Sequence, residues 1–406
     1  MKRILYYLSI VALLSSCLSE KNAAPGKPTT FVRYFNGGNN DYAKVAEETS
    51  DGGIILLGTT KIVSTTDSSK IKLIKTDNYG NLVFQKVYPG GFKSKINLGG
   101  NAMIQLAAGG FIVIGNYIQS TRTDLFILEV NSQLDSVKSR RVDFSAFGIT
   151  ESILGQAIQL NTNGNFLVLG SLKDITKTSN NMVLAELDKS DFSVIWARAY
   201  GNGESSLANK IYLDGSNNVF WSGTVTRNSS TPDIRIVKTA QNSVGTISDQ
   251  FFGKAEFEEE ANDICRYGYG FAIVGSTNES PTGTLGDQNI IFKIIAQDGI
   301  TELLSRSIAA SSGTDTGNSI SSVRGGLVIL GTVKVAEQDD YFLTKYDAFG
   351  NQVWTTPRIF GNKSKNDLGA SVRQMTDGSL LVLGTTVFGG VKTMMLMKAD
   401  SEGNIE

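Results

Sequence analysis

Carboxylates, amides and aromatic rings are the chemical equipment of this chain. None of its 406 residues is His, which excludes Ser-His-Asp and Cys-His catalysis, His-ligated zinc or haem, and imidazole pH switching. Two cysteines, Cys17 and Cys265, are too few for a disulfide framework or a Cys-based zinc site. Glu256, Glu258, Glu259 and Glu260, with Phe257 between them, make the densest acidic group. It suits Ca²⁺ or a basic partner, and equally the simple solvation of a loop. A second set, Asp41, Glu259, Asp315 and Asp367, recurs at one place in a repeating pattern and could gather at a channel mouth to hold a cation or work as an acid/base pair. Such work on a sugar needs carboxyls about 5–5.5 Å apart for retention or about 6.5–9.5 Å for inversion, and only a fold sets such distances. Phe92, Phe147, Phe251 and Phe257 supply rings that could stack on saccharides, anchor a protein, or cap structural seams. No catalytic motif appears, and no residue set asks for a cofactor.

The elements that must position these groups follow from composition and repetition. Hydrophobic residues are 41% and charged residues 19%, so a sizeable core is available. Gly is abundant at 43 and Pro scarce at 6, which means many tight turns and few stiff linkers. The 38 basic and 39 acidic side chains nearly cancel, against the basic surplus a nucleic-acid protein carries.

A short β run ending in Gly occurs seven times, closing at Gly58, Gly115, Gly170, Gly223, Gly275, Gly331 and Gly384, with spacings of 57, 55, 53, 52, 56 and 53 residues. A turn signal precedes each, as in Asp51-Gly52-Gly53 and Asp377-Gly378-Ser379, supplying the positive φ of tight hairpins. A variable loop, a third strand, a second turn such as Asp77-Asn78-Tyr79-Gly80-Asn81, and a fourth strand follow. Four strands in roughly fifty residues is one propeller blade. Before each Gly turn stands a small residue: Ala43, Gly100, Gly155, Ala208, Ala261, Gly317 or Gly369. Inner strands converge on an axis there. The next residues, Lys44, Asn101, Gln156, Asn209, Asn262, Asn318 and Ala370, are mostly amides, expected to bridge blades rather than line the channel. Trp221 fills a column of core aliphatics, Trp196, Trp354 and Phe84 share a packing point on the fourth strand, and Cys265 reads as a small buried hydrophobe.

The last repeat stops at Gly403-Asn404-Ile405-Glu406, where a fourth strand should begin, and Phe31–Phe35 matches the missing strand. The expected fold is therefore all-β: one seven-bladed propeller over 31–406, its ring closed by the N-terminal strand, which removes the open edges.

The N-terminus has a different character. Lys2 and Arg3 precede an apolar run, Ile4 to Leu14, too short for the roughly 20 residues of a membrane span and fit for a signal peptide. Its end, Leu14-Ser15-Ser16-Cys17, resembles the lipobox of bacterial lipoproteins. That resemblance implies removal of residues 1–16, lipidation of Cys17, a flexible tether over 17–30, and anchoring in the outer membrane of a two-membrane bacterium; the mature charge would be −3 after loss of Lys2 and Arg3. The repeats themselves, best in SDGGIILLGTT and IKLIKTDNYGNLVFQKVYPGG, resemble the DGG-type propeller repeats of exported and lipid-anchored envelope proteins. They lack the signatures of WD40 blades and of sialidase Asp-boxes.

Strand order puts the formulaic turns at one end of the ring and the variable connections at the other, where recognition is expected. That face should carry Gly91–Leu98, Phe144–Leu154, Lys254–Glu260, Asn278–Gln288 and Lys334–Asp340. The leading expectation is a non-catalytic docking platform for envelope or outer-membrane proteins. The competing expectation is a glycan-binding lipoprotein, and a carboxylate glycoside hydrolase stands third. An apolar patch on the loop face would favour docking, a cleft of aromatics and amides a glycan, and paired carboxylates in a deep pocket an enzyme.

Overall fold

The computed structural model describes residues 30–61, 69–89, 102–118, 122–173, 181–201, 204–214, 216, 218–226, 231–240, 245–268, 270–361 and 364–405. Cys17, Phe92, the small residue Gly100 and the connection Gly91–Leu98 lie outside them, as does the tether up to residue 29.

Seven antiparallel sheets of four strands each form the expected propeller. Blade one, for instance, runs through Asn40–Glu48, Ile54–Lys61, Ser69–Thr76 and Leu82–Tyr88 from axis to rim. Its second strand is buried at nearly every position, while the fourth is largely exposed. A blade's middle strands are covered on both faces by neighbouring blades, so they read as continuous apolar runs rather than alternating ones. The core column Leu56, Val113, Val168, Trp221, Ile273, Ile329 and Val382 is at most 1% exposed throughout. Trp354 is buried and Trp196 half-buried, each with its indole N–H donating to a Glu. Phe84 departs from that packing column, standing 38% exposed on the rim.

The two small-residue columns prove to be one feature. Ala43 pairs with Gly58, Gly155 with Gly170, Ala208 with Gly223, Ala261 with Gly275, Gly317 with Gly331 and Gly369 with Gly384. A Cβ on Gly384 would fall 2.7 Å from the Leu368 carbonyl oxygen, so the close approach of backbones excludes a side chain. The residue after each small one is then extruded as a β-bulge: Lys44, Gln156, Asn209, Asn262, Asn318 and Ala370. The bulge breaks the strict alternation on which the placing of the amide column rests, because one extra residue flips the face of everything that follows. Bridging nevertheless occurs: Asn262 donates to the Gly317 carbonyl at 2.9 Å, and Asn209 donates to that of Ala261.

The second turn keeps its left-handed position where its sequence departs. Blade three closes it with one extra residue, the Asp188 N–H donating to the Ser193 carbonyl where that of Asp77 donates to Asn81. In blade one Asp77 Oδ1 accepts the N–H groups of Tyr79 and Asn81, with Gly80 at φ 76°. In blades two and three Leu134 (φ 63°) and Phe192 (φ 61°) take the left-handed position. Both side chains are at most 1% exposed, and that burial offsets the roughly 1–2 kcal/mol of backbone strain.

The ring closes as expected. Phe31–Phe35 is the fourth strand of blade seven, registered from Phe31↔Lys398 to Phe35↔Met394. Tyr34 of this strand stacks on Phe388 with centroids 4.9 Å apart.

Candidate functional site

At the loop end of the axis the inner strands splay into a pocket of about 320 Å³. Most of the residues lining it carry an amide or hydroxyl, among them Asn262, Asn318, Gln288, Thr316, Thr332 and Tyr42, with Glu260 and Asp339, while Ala43, Leu368 and Ala370 make part of the wall apolar. The bulges position two of these amides, since Asn262 and Asn318 are the extruded residues of blades five and six. Asn318 Oδ1 accepts the Thr332 hydroxyl at 2.7 Å, while the Tyr42 ring carries Lys392 Nζ at 4.8 Å from its centroid. Such a wall offers donors and acceptors pre-oriented by backbone.

Below the pocket the channel is filled by charge. Asp263, fully buried, accepts Lys210 Nζ at 2.6 Å, the Ser319 hydroxyl at 2.7 Å and the N–H groups of Ile264 and Ile320 at 2.9 and 3.1 Å, with Arg373 at 3.7 Å. Lys44 is 1% exposed, and burial, reinforced by Lys210 and opposed by Asp263, lowers its pKa from 10.5 to about 8. Burial also pushes the Cys265 thiol up to about 12, consistent with a hydrophobe-like cysteine rather than a nucleophile.

The four carboxylates Asp41, Glu259, Asp315 and Asp367 do not gather at the channel mouth. Each is at most 1% exposed and is turned into the seam beside its own blade-to-blade connection. Asp41 pairs with Lys72 at 2.5 Å, Asp315 accepts the Ala310 and Ser311 N–H groups at 2.8 Å, and Glu259 accepts that of Lys254 at 3.2 Å. Glu259 and Asp315 thereby hold their connections in place. Burial raises the Glu259 pKa from 4.5 to about 7, with Lys293 and the Lys254 amide opposing.

A column that sequence reasoning missed lies opposite them on the third strands: Asp124, Asn181, Asp233, Asn289 and Asp340, each paired two residues past the inner glycine. The glycine after the fourth strand abuts it. A Cβ on Gly253 would overlap Asp233 Oδ1 and reach 3.0 Å from Glu259, and one on Gly361 would overlap Asp340 and reach 3.0 Å from Asp367. In sequence these residues stand 9, 11, 10, 14 and 9 positions after the inner glycine, so the connections of unequal length between the second and third strands hid the column.

The acidic loop divides. Glu256, Glu258 and Glu260 are exposed, whereas Glu259 and Phe257 are buried, Phe257 beneath Lys254 Nζ at 5.6 Å from its ring. Phe251 is half-buried under the Arg235 guanidinium, 5.6 Å from its centroid. Phe147, in a short 3₁₀ turn Ser145–Phe147, is 38% exposed. Of the four phenylalanines, the three described, Phe147, Phe251 and Phe257, do not form one aromatic platform. No group of three or more Cys, Asp or Glu side chains is arranged to hold a metal among them either.

No family model matches the chain, and no curated protein matches its sequence. Solved structures do match its shape. A protein of unknown function from Dyadobacter fermentans superposes with a TM-score of 0.52 at 11% identity, covering 92% of this chain and 98% of that one. The polysaccharide lyase Uly1 gives 0.53 at 11% identity, covering 94% of each chain, and the Dos1 propeller 0.51 at 10%, covering 94% and 97%. At these identities the likeness is one of fold.

Proposed function

We propose that this propeller is a non-catalytic, envelope-anchored binding protein that takes a saccharide in the axial pocket of its long-connection face. The observation that carries the reading is the pocket wall. Gln288, Thr314 and Thr316 offer an amide and hydroxyls beside the Tyr42 ring, on a wall made rigid by the hydrogen bonds of Asn262, Asn318 and Thr332, a match for the alternating polar edges and apolar faces of sugars. The lipobox at Cys17 supports the anchored location. Glycan-array binding by the full chain in mild detergent tests it, with Gln288→Ala and Thr316→Ala each expected to weaken a hit by roughly tenfold. A silent array would sink the reading.

The docking platform is the second reading. Its support is apolar side chains exposed on the same face: Leu285 at 70%, Phe388 at 49% and Phe147 at 38%. Detergent purification from native membranes with a stoichiometric outer-membrane protein attached, and no glycan bound, would favour it. Glu260 and Asp339 on the pocket wall keep a hydrolase third, read by new reducing ends in any glycan that binds.

A further inference from the structure

The axial pocket carries charge of one sign. Its charged lining residues are Glu260 and Asp339, and neither Lys nor Arg lines it among the described residues. The two acids differ in how they are answered. Asp339 has Lys334 Nζ 4.0 Å from its carboxyl. Glu260 makes no ion pair and no side-chain hydrogen bond among the described residues, and the charge that acts on it is another acid, Glu258. Although the side chain is exposed, partial withdrawal from water at the wall, and then the like charge of Glu258, raise its pKa above the ordinary 4.5. A positive group in the pocket would relieve both effects.

A second unmet group stands beside it. Ser276, also on the pocket wall, is registered directly opposite Glu260 on the neighbouring strand. Side chains so paired share one face of the sheet, with Cβ atoms about 4.5–5.5 Å apart. Ser276 is 2% exposed, and its hydroxyl has no hydrogen-bond partner among the described residues. An oxygen buried without a partner costs stability that a ligand donor recovers. Carboxylate and hydroxyl together make a pair of adjacent acceptors with no protein donor assigned to them.

This corner discriminates among sugars by what they carry. A uronate would bring its negative charge to two carboxylates. A plain hydroxyl could donate one neutral-group hydrogen bond to Glu260. An ammonium group brings several N–H donors and the opposite charge, and such charge-assisted bonds are roughly twice as strong as neutral ones. We propose that the saccharide taken by the axial pocket is an amino sugar, its ammonium group donating to the Glu260 carboxylate and the Ser276 hydroxyl oxygen while its hydroxyls meet Gln288, Thr314 and Thr316. This inference rests on the saccharide reading of the same pocket and names the class of sugar.

Isothermal titration of the full chain in mild detergent tests it, with glucosamine, galactosamine and mannosamine set against their parent hexoses, their N-acetyl forms and the matching uronic acids. At least one hexosamine should bind roughly tenfold or more tighter than its parent hexose. Its N-acetyl form should show no such gain, and no uronate should bind. Glu260→Gln, nearly isosteric and at an exposed position, should bring that hexosamine to parity with its hexose and leave the hexose unchanged. Ser276→Ala should weaken the hexosamine severalfold, with unliganded melting temperatures showing that both variants fold. Equal binding of hexosamine and hexose, binding of a uronate, or an amine preference that survives both substitutions would overturn the amino-sugar inference and leave the saccharide reading standing. No binding of any sugar, here or on the array, would overturn both.

Discussion

Replacing Asp263 by Asn isolates the charge that fills the channel, since the shape hardly changes. Asp263 is fully buried and accepts four hydrogen bonds, one from Lys210, which is 1% exposed. Asparagine keeps one acceptor oxygen and points an N–H₂ group where the carboxylate received donors. Lys210 then remains in the protein interior without its counter-charge, and Arg373, 3.7 Å away, loses the same anion. Breaking a buried pair by removing one partner costs about 3–5 kcal/mol. Unfolding entropy near 2.1 cal/mol/K per residue gives about 0.8 kcal/mol/K for a domain of roughly 375 residues. The melting temperature should therefore fall by about 4–6 °C at pH 7. Calorimetry on the full chain reads this directly. A shift under about 1 °C would refute the reasoning, because it would mean that the pair contributes less than a single exposed one.

Two further variants test buried charge by its pH dependence. The folded state holds the Glu259 proton up to about pH 7 against 4.5 for the free side chain, so its contribution to stability is present below 4.5 and is lost as pH rises to 7. Glu259→Gln should match the wild type near pH 4.5 and melt a few degrees higher at pH 7.5, which a melting series across pH will read. Lys44 has the opposite shift for a base, from 10.5 down to about 8, so burying it charged costs stability below pH 8 and that cost is relieved as pH climbs to 10.5. Lys44→Met should be more stable than the wild type at pH 7, by up to about 3 kcal/mol, with the difference shrinking through that window in urea titrations.

Blade number, blade boundaries and ring closure were legible because each rests on a local rule repeated seven times. The inner glycines are an example: any one is an ordinary strand-end Gly, but the column reports backbone contact. The axial cluster was not legible, although Lys210 and Asp263 are 53 residues apart, one repeat length. They occupy one column with Val45, Ala157 and Ser319, whose chemistry shares nothing, and the bulge just before it moves that column to a face that simple alternation does not assign. The carboxylates Asp41, Glu259, Asp315 and Asp367 were found but misplaced for a related reason. Their spacing showed that they recur, and only the seam geometry shows that each lies beside its own connection.

The register of the closing strand also sets which way the molecule faces. Phe31 lies opposite Lys398, at the end of the ring that carries the short turns, and Phe35 lies toward the long connections. The described chain therefore enters the propeller at the short-turn end, and the axial pocket opens on the other side of the ring.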